Sequence, residues 1–564
     1  MPKQSRWPGR ARNNRDSGLG TSGLGWEPST VYQDSSRVIA SLPSPESGVP
    51  SPESPFPIPD LRFPIVDELT PAPDPLECCE RLARYPYRLL LDSAVRGAAL
   101  GRYSFLAADP AVVVQNKGRT TECLTLRDGD RRRLDVDALT AVRELTARHQ
   151  TSPIAGLPPF QCGAAGYIGY DWSATLERLP SPRYDDLGIP DVVLGIYDWV
   201  IAWDHIAGRA WIMSSGFPEI GPARRERAEA RIASVRQTLA EPEPVTRGDA
   251  RRASTTRLES RSPEAPSFGM PDVDGADTMG LRSSFSRTAY KEAVSRVREY
   301  ILAGDIFQAN ISQRLEAPLA DTPWRLYRRL RALNPAPFAA YLDFDEIIVA
   351  SASPERFLKL DETRHVETRP IKGTRPRGVG PEHDFALGVA LTESAKDRAE
   401  NLMIVDLLRN DLSRVCVPGT VRVPELFGLE HHATVHHLVS TVTGELASDA
   451  DMFDLLRATF PGGSITGAPK IRAMEIIAEI EPSRRGVYCG AIGYLSSTGA
   501  LDTSIVIRTY LALGNRVYFS VGGGIVADSD PDDEYRETLH KARALIATLA
   551  AGYAVGATGA PQDA

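Results

Sequence analysis

The apolar residues of this chain follow two rhythms, and the polar stretches between them mark its boundaries. Over 59–240, runs such as "YRLLLDSA", "GRYSFLAADPAVVVQ", "VLGIYDWVIAWD" and "RAWIMSS" are rich in β-branched and aromatic residues and predict strands. "FQCGAAGYIGYD" holds glycines densely enough for tight backbone approach. Helical periodicity is sparse there, over about 137–149 and 222–239. The region 284–553 mixes both periods. Tyr290, Val294, Val297 and Ile301 share one face of a helix ending at Gly304, while "SIVIRTYLAL" and "RVYFSVGGGIV" each predict a strand. Two more helices are predicted, from Ala395 and from Pro531, the second capped by Asp530 with proline in its first turn. There is no βαβ rhythm, so the expected class is α+β rather than a dinucleotide-binding fold.

The intervening stretches cannot build a core. Residues 1–58, which include "SLPSPESGVPSPESPFPIP", carry too little apolar surface to offset the entropy of ordering and predict a disordered tail. Residues 241–283 are polar and punctuated by proline, and predict a linker or long loop. Residues 554–564 predict a flexible C-terminus. At 564 residues, 42% hydrophobic and 24% charged, the chain has material for two to four ordinary globular domains. A net charge of -8 argues against nucleic acid or an anionic membrane as the partner. No apolar run reaches the roughly 18 residues a membrane span needs. Six cysteines without a CxxC pair suit a reducing cytoplasm.

Four features could carry chemistry. Asp397 and Glu400 stand three apart on one predicted helix, and Glu534 and Glu537 on another, so each pair shares a helix face. Two such pairs can hold a hard cation such as Mg²⁺ through carboxylate oxygens. Each pair alone reads equally as a solvated helix face. Lys372, in "TRPIKGTRPRG", is a candidate nucleophile if apolar surroundings remove its proton, and otherwise an exposed loop lysine. "FPGGSITGAPKIRAMEIIAEI" runs from a glycine-rich loop into a helix, and "VGGGIV" ends a strand. Neither has the spacing of a nucleotide-phosphate fingerprint. His431, His432, His436 and His437 crowd seven residues. Histidines four apart on a helix can bind zinc, but no third ligand of known spacing accompanies them.

These segments, with "GDIFQANISQR", "SASPERF", "AENLMIVDLLRNDLSRV", "VHHLVSTV", "GAIGYLS", "LDTSIVIRT" and "GGGIVADS", resemble in type and order the chorismate-utilising enzymes. That family includes anthranilate, aminodeoxychorismate, isochorismate and salicylate synthases. The resemblance spans about 60–550 and implies large β-sheets packed as a sandwich with flanking helices. It also implies Mg²⁺ held by Glu400 and Glu537, with Asp397 and Glu534 as supporting acids, gripping the ring carboxylate of chorismate. Arg508 corresponds to the arginine that pairs with a substrate carboxylate. Gly373, Thr374, Tyr488, Gly522, Gly523 and Gly524 correspond to further substrate contacts, and His437 to a histidine near the ring. Glu355 corresponds to a general acid, a role that needs a raised pKa.

Three positions point to a branch. Isochorismate-type members resemble this chain but carry a lysine base where Gln308 stands, and an amide cannot activate water. Anthranilate synthases typically have alanine where Lys372 stands, and histidine in place of Asn401, whereas aminodeoxychorismate synthases have the lysine, thought to form a covalent adduct with the ring. The resemblance thus implies amination of chorismate to 4-amino-4-deoxychorismate for para-aminobenzoate and folate synthesis, with anthranilate formation as the alternative. No "GVCLGHQ"-like amidotransferase block is present, so ammonia is expected from a separate glutamine amidotransferase subunit. Ser93, with Pro337, Phe338 and Ala339, corresponds to a tryptophan pocket. Asp92 there replaces the glutamate usual in feedback-inhibited members.

Overall fold

The computed structural model describes residues 63–97, 100–241, 269–432 and 435–558. The expected tail 1–58 lies outside them, as do most of the expected linker and residues 559–564. Among the described residues the strands form two twelve-stranded sheets, and every ladder between named strands is antiparallel. The first sheet runs from Ile65–Leu69 through Arg88–Asp92, Phe338–Phe344, Ile347–Ser353, Thr509–Leu513 and Arg516–Ile525 to Gln308–Pro318. The second runs from its edge at Ile371–Pro376 through Val435–Glu445, Arg356–Leu360, Leu501–Ile505 and Gly163–Ile168 to Asp130–Leu134. Both sheets draw strands from 59–240 and from 284–553, so the two sequence regions share one architecture.

Strand side chains alternate between faces, and the core follows that alternation. Leu89, Phe105, Ala340 and Leu342 of the first sheet meet Val113, Tyr167, Val193 and Ile492 of the second in one apolar layer. Their neighbours Leu90, Leu106 and Tyr341 face outward onto helices Gly221–Ala240, Pro323–Leu333 and Pro531–Thr558. The outer face of the second sheet packs Val112, Val114 and Leu194 against Ala138–Thr146, Ala395–Ser413 and Met452–Thr459. The result is an α+β sandwich with helices on both outer faces, as expected.

Four local readings change. Residues 269–283 are not a solvated linker: Ala276, Met279 and Leu281 are buried and Ser283 pairs with Leu315, because these apolar side chains fill the layer under the last helix. That helix runs Pro531–Thr558, past the expected boundary at 553, with Asp530 accepting from Asp532 and Asp533 N–H as its cap. "SIVIRTYLAL" is two strands, Leu501–Ile505 in one sheet and Thr509–Leu513 in the other, broken at Arg508. The histidine cluster is no helix but a pair of antiparallel strands in which His431 lies opposite His436. β-Branched residues at 435, 439 and 441–443 favour that pairing.

Candidate active site

The chain passes between the sheets twice at the same place. Ile347–Ser353 lies in the first sheet and Arg356–Leu360 in the second, with Glu355 in the crossing. Leu501–Ile505 and Thr509–Leu513 make the reverse crossing through Arg508. The crossings are bonded together: Ile505 N–H donates to Glu355 O at 3.0 Å and Ala352 N–H to Arg508 O at 3.1 Å. Arg508 has φ 52°, a conformation costly for a residue with a Cβ. Arg356 anchors the first crossing through Asp502 and Glu367.

Around these crossings the expected residues converge. A Cβ on Gly524 would lie 2.1 Å from Gln308 Nε2 and 3.6 Å from Lys372 Nζ, so the bare glycine leaves room for both side-chain ends beside it. A Cβ on Gly523 would lie 3.1 Å from Glu534 Oε2, 3.6 Å from Glu537 Oε1 and 3.9 Å from Lys541 Nζ. One on Gly373 would lie 3.1 Å from Asp397 Oδ1. Gly522 pairs with Ser312 within the same ladder. Gly373, at φ 91°, sits with Lys372 in an irregularity of its ladder. Thr374 Oγ1 meets His437 Nδ1 at 2.8 Å. Tyr488 lies partly buried in the loop after Lys470–Ile480, and desolvation of its hydroxyl pushes it well above the usual phenol range.

Burial dominates the electrostatics. It pushes the Glu355 carboxyl up to about 7, against a bond from Ser464 and the charge of Lys372. It lowers the Lys372 amine, against the pull of Glu400. Although part of Lys372 is open to the cleft, the desolvation of its amine sets the direction. Burial likewise raises Glu400 and Glu534 and holds His437 well below the usual imidazole range, with Arg508 adding to the last. Glu537, near the mouth, is lowered chiefly by Lys541. Lys541 is a residue the sequence reading missed. Its spacing of four from Glu537 was the signal, and its Nζ stands 2.7 Å from Glu537 Oε1 and 3.0 Å from Gly522 O. Ser464, beside Glu355, carried no signal of its own.

Asp397 lies by Gly373, Glu534 and Glu537 by Gly523, and Glu400 within electrostatic reach of Asp397 and Glu537, but among the described residues no three His, Cys, Asp or Glu form a ligand cluster. Asp397 is paired with Arg375 at 2.8 Å and Glu537 with Lys541. Ser93, Pro337, Phe338 and Ala339 also come together, away from these acids. Ser93 Oγ donates to Tyr103 O at 2.6 Å and reaches Pro337 O at 3.4 Å, and Ala339 pairs with Asp92. Asp92 Oδ2 already accepts from Tyr327 and Arg331.

Known proteins match this arrangement over most of its length. The Escherichia coli K12 protein named aminodeoxychorismate synthase component 1 is 40% identical over 471 residues, 83% of this chain and 94% of that one. Anthranilate synthase component 1 of Pseudomonas aeruginosa is 39% identical over 479 residues, 84% and 93%. The crystal structure of anthranilate synthase component I from Streptococcus pneumoniae superposes with a TM-score of 0.66 at 30% identity, covering 80% of this chain and 93% of that one. The isochorismate synthase MenF of Escherichia coli shares the fold at 18% identity and a TM-score of 0.61. The profile of the chorismate binding enzymes spans residues 101–547. With Glu355, Lys372 and Arg508 gathered in one cleft between its sheets, the chain belongs to that family and is an enzyme acting on chorismate.

Proposed function

We propose that this protein aminates chorismate to 4-amino-4-deoxychorismate, as component I of an aminodeoxychorismate synthase serving para-aminobenzoate and folate synthesis in the cytoplasm. The observation that carries the reading is the meeting of Lys372 and Gln308 over Gly524, which places an amine of lowered pKa beside the cleft and puts no base for water at position 308. Anthranilate synthases are about as similar overall, so the branch rests on these residues. Asn401 adds to it. Both ends of its amide are committed, Nδ2 to Leu438 O and Oδ1 to Ser440 Oγ, and it has no titratable proton to give the ring.

In this reading Arg508 holds a substrate carboxylate by paired hydrogen bonds. The unprotonated Lys372 Nζ bonds to the ring as the C–O bond of the ring hydroxyl breaks. Glu355 gives its proton to that oxygen, which leaves as water, and takes up the proton the amine sheds. Ammonia then adds to the ring, the C–N bond to Lys372 breaks, and the lysine nitrogen takes back a proton. The gain is one difficult displacement divided into two. Glu400 and Glu537, backed by Glu534 and Asp397, would hold Mg²⁺, an oxygen donor set suited to a hard cation. That ion would supply positive charge to the ring carboxylate.

Ammonia comes from a separate glutamine amidotransferase subunit. Purified protein given chorismate, Mg²⁺ and an ammonium salt should form aminodeoxychorismate. Anthranilate with released pyruvate as the main product would overturn the reading in favour of the tryptophan branch.

A further inference from the structure

Lys372 stands on a poorly supported piece of backbone. Its strand, Ile371–Pro376, is the edge of the second sheet and borders only Val435–Glu445. The ladder pairs Ile371 with Val439, then resumes at Thr374 opposite His437, Arg375 opposite His436 and Pro376 opposite Val435. Lys372 and Gly373 fall in the gap. They are held between the preceding end, where Ser440 N–H donates to Pro370 O at 3.2 Å, and the residues that follow.

His436 is central to that fixation. Neighbouring strand residues point to opposite faces, so His437 faces the cleft while His436 turns to the helix Pro381–Glu393. His436 is fully buried, and its Nε2 lies 2.8 Å from Asp384 Oδ1. Asp384 in turn takes two bonds from Arg377, at 2.7 and 2.6 Å, and one from Gly378 N–H at 2.8 Å. Arg377 also donates to His432 O at 2.9 Å, and Arg375 to Asp397 at 2.8 Å. The segment just after Lys372 is thereby held to a helix, a neighbouring strand and the backbone of His432.

One proton position in this set is fixed by its partner. A carboxylate only accepts, so His436 Nε2 carries hydrogen. The Nδ1 atoms of His436 and His431 lie 2.7 Å apart, so one of the two carries a hydrogen and donates to the other.

We propose that His436 is a positioning residue for Lys372: with His431 behind it and Asp384 and Arg377 in front, it clamps the end of the Lys372 strand and so holds the amine at its place beside Gly524. This rests on the role proposed for Lys372.

The test is steady-state amination with ammonium, chorismate and Mg²⁺. His436→Leu, which removes both imidazole bonds, should lower kcat by about 10²-fold, the scale of a misplaced reacting group, with KM for chorismate and the melting temperature close to wild type. His436→Gln, whose amide can reach Asp384 from the Nε2 position, should recover most of kcat. The clamp is overturned if His436→Leu keeps wild-type kcat, if His436→Gln is as impaired as His436→Leu, or if the loss falls on KM or melting temperature. Spectra of wild-type protein with ¹⁵N-labelled histidine need no variant to fold. They should show hydrogen on His436 Nε2, and a His436 that carries hydrogen on Nδ1 alone overturns the arrangement. Lys372→Ala in the same assay separates the two ideas. Wild-type turnover there removes the role of Lys372 itself, while impairment there beside an unimpaired His436→Leu removes only the clamp.

Discussion

Two lysines among the described residues are lowered by desolvation, and they differ in company. Lys470 donates to Asp411, to Thr459 O at 2.8 Å and to Pro461 O at 2.9 Å, so all three of its hydrogens are used. Lys372 makes no hydrogen bond among the described residues, although Glu400, Glu355 and Glu537 act on it electrostatically. Burial lowers both amines, yet Lys470 is locked to its charge partner while Lys372 faces a cleft. The carboxylates divide the same way. Glu481 is saturated by Arg485 and Ser312, whereas Glu400 forms no ion pair among the described residues. A buried charge with all its bonds made holds the fold together. One left short of partners is available to a substrate, and its desolvation is maintained by the packing around it.

The contrast breaks most sharply at the two lysines. Lys372→Ala should lower turnover by on the order of 10³-fold without lowering the melting temperature. Lys470→Ala should cost about 3–5 kcal/mol in denaturant unfolding, because Asp411 is left buried and unpaired. Exchanged outcomes would refute the distinction.

Glu355→Gln comes next, with a loss of roughly 10²-fold or more in kcat, the typical weight of a general acid. The wild-type profile sharpens the point. An acid with its pKa at about 7 must be protonated to act, so kcat should fall as pH rises through about 7. Stability has the same direction. A carboxyl raised on folding stabilises fully below its unfolded pKa and loses that contribution as pH rises through the folded one. Glu355→Gln should therefore gain stability relative to wild type above pH 7 while losing activity, and a pH-independent stability difference would count against desolvation as the cause.

Glu400→Gln should weaken Mg²⁺ binding, lowering turnover at limiting metal with partial recovery in excess, read by titration of EDTA-treated protein. Smallest is Ser440→Ala. Its hydroxyl donates to Asn401 and accepts from Phe427 N–H, so the change should cost about 1–2 kcal/mol with little effect on turnover.

Much of this was legible in the chain before any fold was known, where the signal was local. The acid pairs share faces because helical neighbours recur at three and four residues, and Asp530 caps its helix because its carboxylate reaches the next free N–H groups. The glycine runs and the order of the blocks fixed the family and the candidate residues. Less was legible where long-range packing decides. "SIVIRTYLAL" reads as one strand because its pattern is uninterrupted, and nothing local says that Arg508 breaks it to cross between sheets. The histidines offered a helical spacing, but pairing with a neighbouring strand set their geometry. Met279 and Leu281 sat in a polar stretch, and a cavity made by distant elements drew them in.

The sequence by itself determined the fold class, the acid pairs and the presence of a lysine where a chemical branch divides, because composition, periodicity and residue identity are properties of neighbouring residues. Only the tertiary structure decided that Lys372, Gln308 and Gly524, from three strands in two sheets, share one point of a cleft, and that Lys372 is left unbonded there while Lys470 is not. The reason is that desolvation and hydrogen-bond satisfaction depend on which distant elements arrive at a site, and no local pattern encodes that.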